Sequence, residues 1–129
     1  MASRSYQVRR SKTGLGLFAT KQIKRGAYIA TYRGPRITTA ESDRREARGA
    51  RYMFALNKKW VIDGSPRWNA ARYINHSCRP NCYVHIQNGT IWIRAARKIR
   101  KGEELTYHYN TDGEGLIKCR CHPKCQHLI

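Results

Sequence analysis

The sequence predicts a mostly β domain of many short strands and little helix. Three observations carry that expectation. Short aromatic and β-branched runs alternate with Gly, Asn, Asp and Pro turn signals along most of the chain. Asn88-Gly89 sits between two such runs, a strong hairpin signal. A single stretch, residues 37–50, is Arg/Ala/Glu-rich enough to read as a helix. At 129 residues the chain is one domain with one core, and its 40% hydrophobic content with three Trp and eight Tyr argues against disorder.

Taken in order, residues 4–12 are basic and start without periodicity, the pattern of a mobile arm. The apolar runs 15–19 and 27–32 flank the turn signal Lys24-Arg25-Gly26 and read as the two strands of a hairpin. Thr38-Thr39 ahead of Glu41 is a capping signal for the helix in 37–50. Glu41 and Arg45 there have i,i+4 spacing, worth only about a few tenths of a kcal/mol at a surface. Runs 52–56 and 60–62 form a second hairpin around Asn57-Lys58-Lys59. Asp63-Gly64-Ser65-Pro66 breaks the pattern, and 68–74 is a helical turn or two. Residues 83–86 and 90–95 pair across Gln87-Asn88-Gly89, 105–109 is a last strand, and the tail from Thr111 is loop.

Composition narrows the function. The net charge of +18, from 26 basic and 8 acidic residues, implies either a nucleic-acid surface or an acidic partner, or else only a solvated surface. No acid precedes Glu41. Five cysteines are an odd number, and Cys119, Cys121 and Cys125 crowd together, which fits a metal site in a reducing compartment better than a disulfide framework. No apolar run approaches a membrane span and the N-terminus leads into no signal-peptide core, so the expectation is a soluble intracellular protein without a membrane partner.

The densest chemistry lies in Arg72-Tyr73-Ile74-Asn75-His76-Ser77-Cys78-Arg79-Pro80-Asn81-Cys82. An Asn-His pair directly after apolar residues reads as a polar hook set into a core, because such side chains are buried only where their polar atoms find partners. This stretch resembles the central motif of SET-domain protein-lysine methyltransferases. Gly14-Leu15-Gly16-Leu17-Phe18-Ala19, Ala70-Ala71-Arg72 and Gly102-Glu103-Glu104-Leu105-Thr106-Tyr107-His108-Tyr109 match the same family in order and approximate spacing, followed by Cys119-Arg120-Cys121 and Cys125. The resemblance runs from about residue 6 to the C-terminus and is nearest the trithorax-like branch. It implies small curled sheets around a knot-like core, with the segment 105–109 passing through a loop closed by the central stretch. The implied organisation is a basic arm (1–12), a SET domain (13–110) and a post-SET zinc-binding tail (111–129).

The resemblance also implies roles. Gly14, Leu15 and Gly16 face S-adenosylmethionine, largely through main chain; Asn75 and His76 hold its adenosyl moiety, and Tyr52 touches the same cofactor. Tyr109 lies closest to the transferred methyl, Tyr32 lines the lysine channel, and Tyr107 limits how many methyls fit, a Tyr there resembling the mono- or at most di-methylating pattern. Read singly, the glycines are a tight turn, Asn75-His76 satisfied core polars and each tyrosine a core aromatic. The chemistry suits tyrosines: lysine must lose a proton from a pKa near 10.4 before its nitrogen attacks, and an apolar aromatic channel favours that by desolvation. Cys78 with Cys119, Cys121 and Cys125 matches one structural Zn²⁺ site, with the last spacing one residue short and His122 and His127 as reserve ligands. Cys82 reads as a small buried hydrophobe. Thr13, Leu15, Thr31 and His108 stand where the family often has His, an aromatic or basic residue, an acid, and Asp.

The expected function is S-adenosylmethionine-dependent protein-lysine N-methylation of a histone or histone-like, DNA-associated protein, in a nucleus or a bacterial cytoplasm. The alternatives are a non-catalytic basic nucleic-acid-binding module, or a zinc-stabilised interaction domain that binds the cofactor without turnover. A +18 domain repels a basic tail, so either Glu41, Asp43 and Glu46 make the groove locally acidic or DNA bridges the partners. Non-specific nucleic-acid binding is expected from the charge, and a homodimer is one way for a short stand-alone domain to compensate for missing flanking structure.

Overall fold

A computed structural model describes residues 4–12 and 14–109. Among these residues the chain forms β1 (Tyr6–Ser11), β2 (Gly14–Ala19), β3 (Tyr28–Tyr32), β4 (Arg36–Thr38), α1 (Thr39–Ala47), β5 (Met53–Ala55) and β6 (Trp60–Asp63). A 3-10 turn (Ala70–Tyr73), β7 (Asn75–His76), β8 (Cys82–Gln87), β9 (Thr90–Ala95) and β10 (Glu104–Tyr107) follow. The strands make three small sheets with orders β1-β2-β10-β7, β3-β9-β8 and β4-β6-β5, so the mostly β expectation holds.

Local signals act as expected where the partner is near in sequence. At the β8–β9 turn Asn88 (φ 52°) and Gly89 (φ 77°) both adopt the left-handed region that a two-residue hairpin needs. Asn57 closes the β5–β6 turn by accepting from the Lys59 and Trp60 amides at 2.9 and 2.8 Å. Thr38 caps α1, accepting from the Glu41 amide at 3.1 Å. At its other end, Gly49 (φ 100°) turns the chain while the amides of Gly49 and Ala50 return to the carbonyls of Glu46 and Arg45, a Schellman closure. Within the expected helical segment 68–74 only Ala70–Tyr73 is helical, as a 3-10 turn, and the last strand ends at Tyr107, short of Tyr109.

Two expectations are corrected. The basic arm is not mobile: residues 6–11 are strand β1, paired along its whole length with β2 from Tyr6↔Ala19 to Ser11↔Gly14. It shows no hydrophobic period because both faces of its middle are exposed; backbone pairing holds that middle, while Tyr6 at its start packs against the core. The runs 15–19 and 27–32 are not hairpin partners, since β2 pairs with β1 and β10 whereas β3 pairs with β9. The turn at Lys24-Arg25-Gly26 does exist, with the Ala27 amide donating to the Lys24 carbonyl at 3.1 Å. The connection before it is diverted when Ile23 bridges to Ile99, which sends the chain into a different sheet.

The core gathers Leu17, Ile74, Ile91, Ile93, Ile99 and Leu105 from strands and linkers of two sheets. Cys82 joins them as expected; burial pushes its thiol up to about 12, so it stays protonated and packs as a small apolar group. Among the described residues no helix is long and apolar enough to cross a membrane.

Candidate active site

Strand β10 is the axis of the site. It runs antiparallel to β2 (Leu105↔Leu17) and parallel to β7 (Thr106↔Asn75, Tyr107↔His76). The central stretch therefore lies directly beside the strand that carries Tyr107 and leads to Tyr109. Asn81, from the far end of that stretch, holds the same strand: its Nδ2 donates to the Glu104 carbonyl at 2.8 Å and its Oδ1 accepts from the Thr106 amide at 2.9 Å. Asn81 is buried, so these bonds form where water does not compete.

The residues assigned to the cofactor come together in part. Asn75 Nδ2 donates to the Leu15 carbonyl at 3.1 Å and to Glu104 Oε2 at 2.8 Å, joining the Gly14-Leu15-Gly16 turn to β7. Its amide protons are thus committed within the protein, leaving Oδ1 and nearby main chain for a ligand. Gly16 is required by this junction itself: a Cβ there would lie 2.5 Å from Glu104 Oε2 and 3.2 Å from Asn75 Nδ2. Tyr52 joins the site through its carbonyl, which accepts the Tyr32 hydroxyl at 2.8 Å, while the Arg72 guanidinium stacks over its ring at 4.2 Å. Arg72 also donates to the Ser65 carbonyl, and its Nε is buried without a partner among the described residues.

The three tyrosines line one aromatic wall. Ring centroids step from Tyr32 to Phe54 (5.1 Å), Phe54 to Tyr107 (6.3 Å) and Tyr107 to Tyr109 (5.2 Å), and on to His76 (5.2 Å). The Tyr109 hydroxyl donates to the Ile74 carbonyl at 2.7 Å. Tyr109 keeps 38% of its surface exposed, so the wall opens to solvent there, yet its hydroxyl is tucked in. Desolvation, with Tyr52 beside it, pushes that phenol up to about 12. Desolvation first and neighbouring phenols second also raise Tyr32 and Tyr107. All three are neutral hydrogen-bonding groups at any physiological pH. Gly64 is flat against Tyr32, leaving no room for a Cβ.

His76 is the junction between this wall and the candidate metal site. The Tyr109 amide can only donate, and it does so to His76 Nδ1 at 3.0 Å. The proton of a neutral ring must therefore sit on Nε2, which faces Cys78 Sγ at 3.4 Å. His76, Cys78 and His108 bring their ligand atoms within 4.8 Å of one another, and the His76 and His108 rings meet edge-on at 4.6 Å. A cysteine sulfur with imidazole neighbours is a donor set that suits zinc, and His76 is placed to donate to that sulfur. Cys119, Cys121, Cys125, His122 and His127 lie outside the described residues.

Sequence reasoning missed Glu104, Asn81 and Phe54. Glu104 accepts from Ser11 Oγ at 3.0 Å as well as from Asn75, and so ties β1, β7 and β10 together. The signal lies in the Glu103-Glu104 pair within residues 102–109, but only the sheet order explains why the second acid faces inward. Of the acids expected to attract a basic tail, Glu41 is compensated, facing Arg44, Arg45 and Arg48 at 3.1, 3.4 and 3.6 Å; Arg45 also reaches Asp63 at 2.6 Å.

Comparison with known proteins agrees with this geometry. Residues 14–110 match the family model described as "SET domain". The chain is 42% identical over 121 residues to Histone-lysine N-methyltransferase trithorax of Drosophila virilis, covering 86% of this chain and 3% of that protein. It is 40% identical over 129 residues to Histone-lysine N-methyltransferase 2D of Homo sapiens, covering 90% of this chain and 2% of that protein. Among solved structures it superposes with a TM-score of 0.76 and 30% identity on ctPRC2 in an autoinhibited conformation bound to S-adenosylmethionine, over 84% of this chain and 15% of the other. A Chaetomium thermophilum Polycomb Repressive Complex 2 bound to GSK126 gives the same TM-score at 32% identity, over 84% of this chain and 16% of the other. The chain thus spans only a few per cent of the length of these curated relatives.

Proposed function

This chain belongs to the SET-domain family, and from that premise we propose that it is an S-adenosylmethionine-dependent protein-lysine N-methyltransferase acting on a histone or histone-like protein at chromatin. The observation that carries the reading is the wall Tyr32–Phe54–Tyr107–Tyr109, with phenols held neutral and two hydroxyl protons committed to backbone carbonyls. S-adenosylmethionine, when bound, supplies an electrophilic sulfonium methyl for transfer to the lysine nitrogen. The protein's part is to desolvate and orient that nitrogen. An apolar aromatic wall disfavours the ammonium over the amine. Because the Tyr109 proton points to Ile74, its oxygen lone pairs are left to accept an amine N–H, which leaves the nitrogen lone pair directed elsewhere. Tyr107, buried between Phe54 and Tyr109, takes the role of limiting the space around the nitrogen, favouring few methyls. Gly14, Leu15, Gly16, Tyr52, Asn75 and His76 take the cofactor side, and the relatives' names and the S-adenosylmethionine-bound neighbour support that assignment.

Cys78, with Cys119, Cys121 and Cys125, is assigned to one structural zinc. His76 adds a hydrogen bond to the Cys78 sulfur instead of a ligand bond. Glu41 is paired with arginines, and Arg44, Arg45 and Arg48 stand beside Asp43 and Glu46 in the sequence, so recognition of a histone-like substrate is assigned to the aromatic channel and to bridging DNA.

The test is labelled-methyl transfer to core histones and to nucleosomes, with Tyr109→Phe alongside. The expected result is transfer by the parent chain and a loss of about a hundredfold or more in the variant, with cofactor binding by calorimetry little changed. Equal transfer by both proteins overturns the role of Tyr109, and cofactor binding without transfer to any histone favours the non-catalytic reading.

A further inference from the structure

The outer face of the β3-β9-β8 sheet plays no part in the proposed chemistry, and it is not an ordinary solvated surface. On β9 the residues Ile91, Ile93 and Ala95 point into the core, so Trp92 and Arg94 point outward. The register places Tyr28, Arg94 and Tyr83 in one row across the three strands, and Thr31, Trp92 and His85 in the next. Tyr28 and Tyr83 keep 52% and 39% of their surface exposed. The rings are held rather than loose: Tyr28 meets Trp92 edge-on at 4.8 Å, and the Arg94 guanidinium lies 4.4 Å from the Tyr28 ring centre and 5.7 Å from that of Tyr83. Arg94 is itself fixed by donating twice to the Gly26 carbonyl, at 3.0 and 2.7 Å, which sets exposed Lys24 and Arg25 at the border of the face.

Charge selects the partner. No acid occurs between Asp63 and Glu103, nor anywhere before Glu41, so all three strands and the turns joining β8 to β9 and leading into β3 are free of carboxylates. A rigid aromatic grid with a central guanidinium and a cationic border offers stacking surfaces and phosphate contacts together. Bases inside a duplex keep their faces stacked on each other and cannot use such rings; unstacked bases can. We infer that this sheet face is a docking platform for single-stranded nucleic acid, bases stacking on Tyr28, Trp92 and Tyr83 while Lys24, Arg25 and Arg94 meet the backbone. This is a narrower statement than non-specific attraction by net charge, because it names the face and prefers single strands. It is independent of the methyl-transfer reading.

Fluorescence anisotropy of the full chain with labelled oligothymidylate, oligouridylate and a duplex of equal length, at low and physiological salt, tests it. Tyr83→Thr and Tyr28→Thr keep strand-compatible residues at exposed positions, and thermal melting verifies that each variant folds. The expected result is tighter binding of either single strand than of duplex. Each variant should lose about tenfold on the single strands, the scale of one stacked base, with duplex binding little changed. Arg9→Gln with Arg10→Gln, on β1 of a different sheet, should weaken duplex and single strand alike. Folded platform variants that bind single strands as the parent does overturn the proposal. So does an equal loss on duplex, or displacement of the oligonucleotides by polyglutamate as effective as by unlabelled oligonucleotide.

Discussion

The β3-β9-β8 sheet and the β10-β7 junction are built by opposite means. In the sheet, regular alternation puts Ile91, Ile93 and Ala95 inward and Trp92 and Arg94 outward, so apolar burial positions the strands. At the junction the alternation is brief, since β7 is only Asn75–His76, and polar side chains do the positioning: Asn75 and Asn81 from one stretch grip β10 and Glu104. Apolar packing is non-directional and accommodates small changes of volume. Buried hydrogen bonds are directional, and removing one partner leaves the other without water. The region that carries the chain to Tyr109, the residue proposed to meet the reacting nitrogen, is the one fixed by direction.

The largest stability effect should therefore fall on the junction. Asn81→Leu strands the Glu104 carbonyl and the Thr106 amide, and chemical denaturation should show a loss of about 3 kcal/mol. Were it to melt like the parent, the polar junction would be dispensable and the comparison would fail. His76→Ala comes next. It removes the acceptor of the Tyr109 amide and the donor to Cys78, so the affinity for the proposed zinc, measured by competition with a chelator, should fall about 10- to 100-fold. His76→Gln, which keeps one acceptor or one donor, should restore part of it; an unchanged affinity in His76→Ala would separate the wall from the metal.

Alkaline pH probes the wall as a whole. Tyr32, Tyr107 and Tyr109 have phenols raised above the ordinary value near 10. The stability they confer by staying neutral is complete below that value and is lost as pH rises through the folded-state values, about 12 for Tyr109. Denaturation midpoints should be level between neutral pH and about 10 with respect to these groups and then fall. Tyr109→Phe should fall less steeply than the parent, and identical slopes would mean that Tyr109 does not share the wall's desolvation. The smallest effect belongs to the alternating sheet: Ile93→Val deletes one buried methylene and should cost about 1 kcal/mol in a two-state melt, leaving the proposed zinc binding and methyl transfer unchanged.

Local chemistry by itself determined a good deal. The Asn88-Gly89 turn, the Thr38 cap, the Asn57 turn, the mostly β class and the family motif around Tyr107 and Tyr109 all depend on residues that are neighbours in the chain, where dihedral preference and short-range hydrogen bonding suffice. What only the tertiary structure decided depends on residues far apart. Strand β1 carries no hydrophobic period, so nothing in residues 4–12 indicates that an edge of β2 is available to it. The turn at Lys24-Arg25-Gly26 could not reveal that β2 would pair with β10, because the bridge of Ile23 to Ile99 redirects the chain. Asn81 and Glu104 look like ordinary surface polars until β10 is laid beside the central stretch. The outward grid of Tyr28, Trp92 and Tyr83 exists only once three strands from separate stretches share one register. In each case the deciding contact is between groups whose proximity costs chain entropy and is repaid by burial, and that balance is set by the whole fold rather than by any local run.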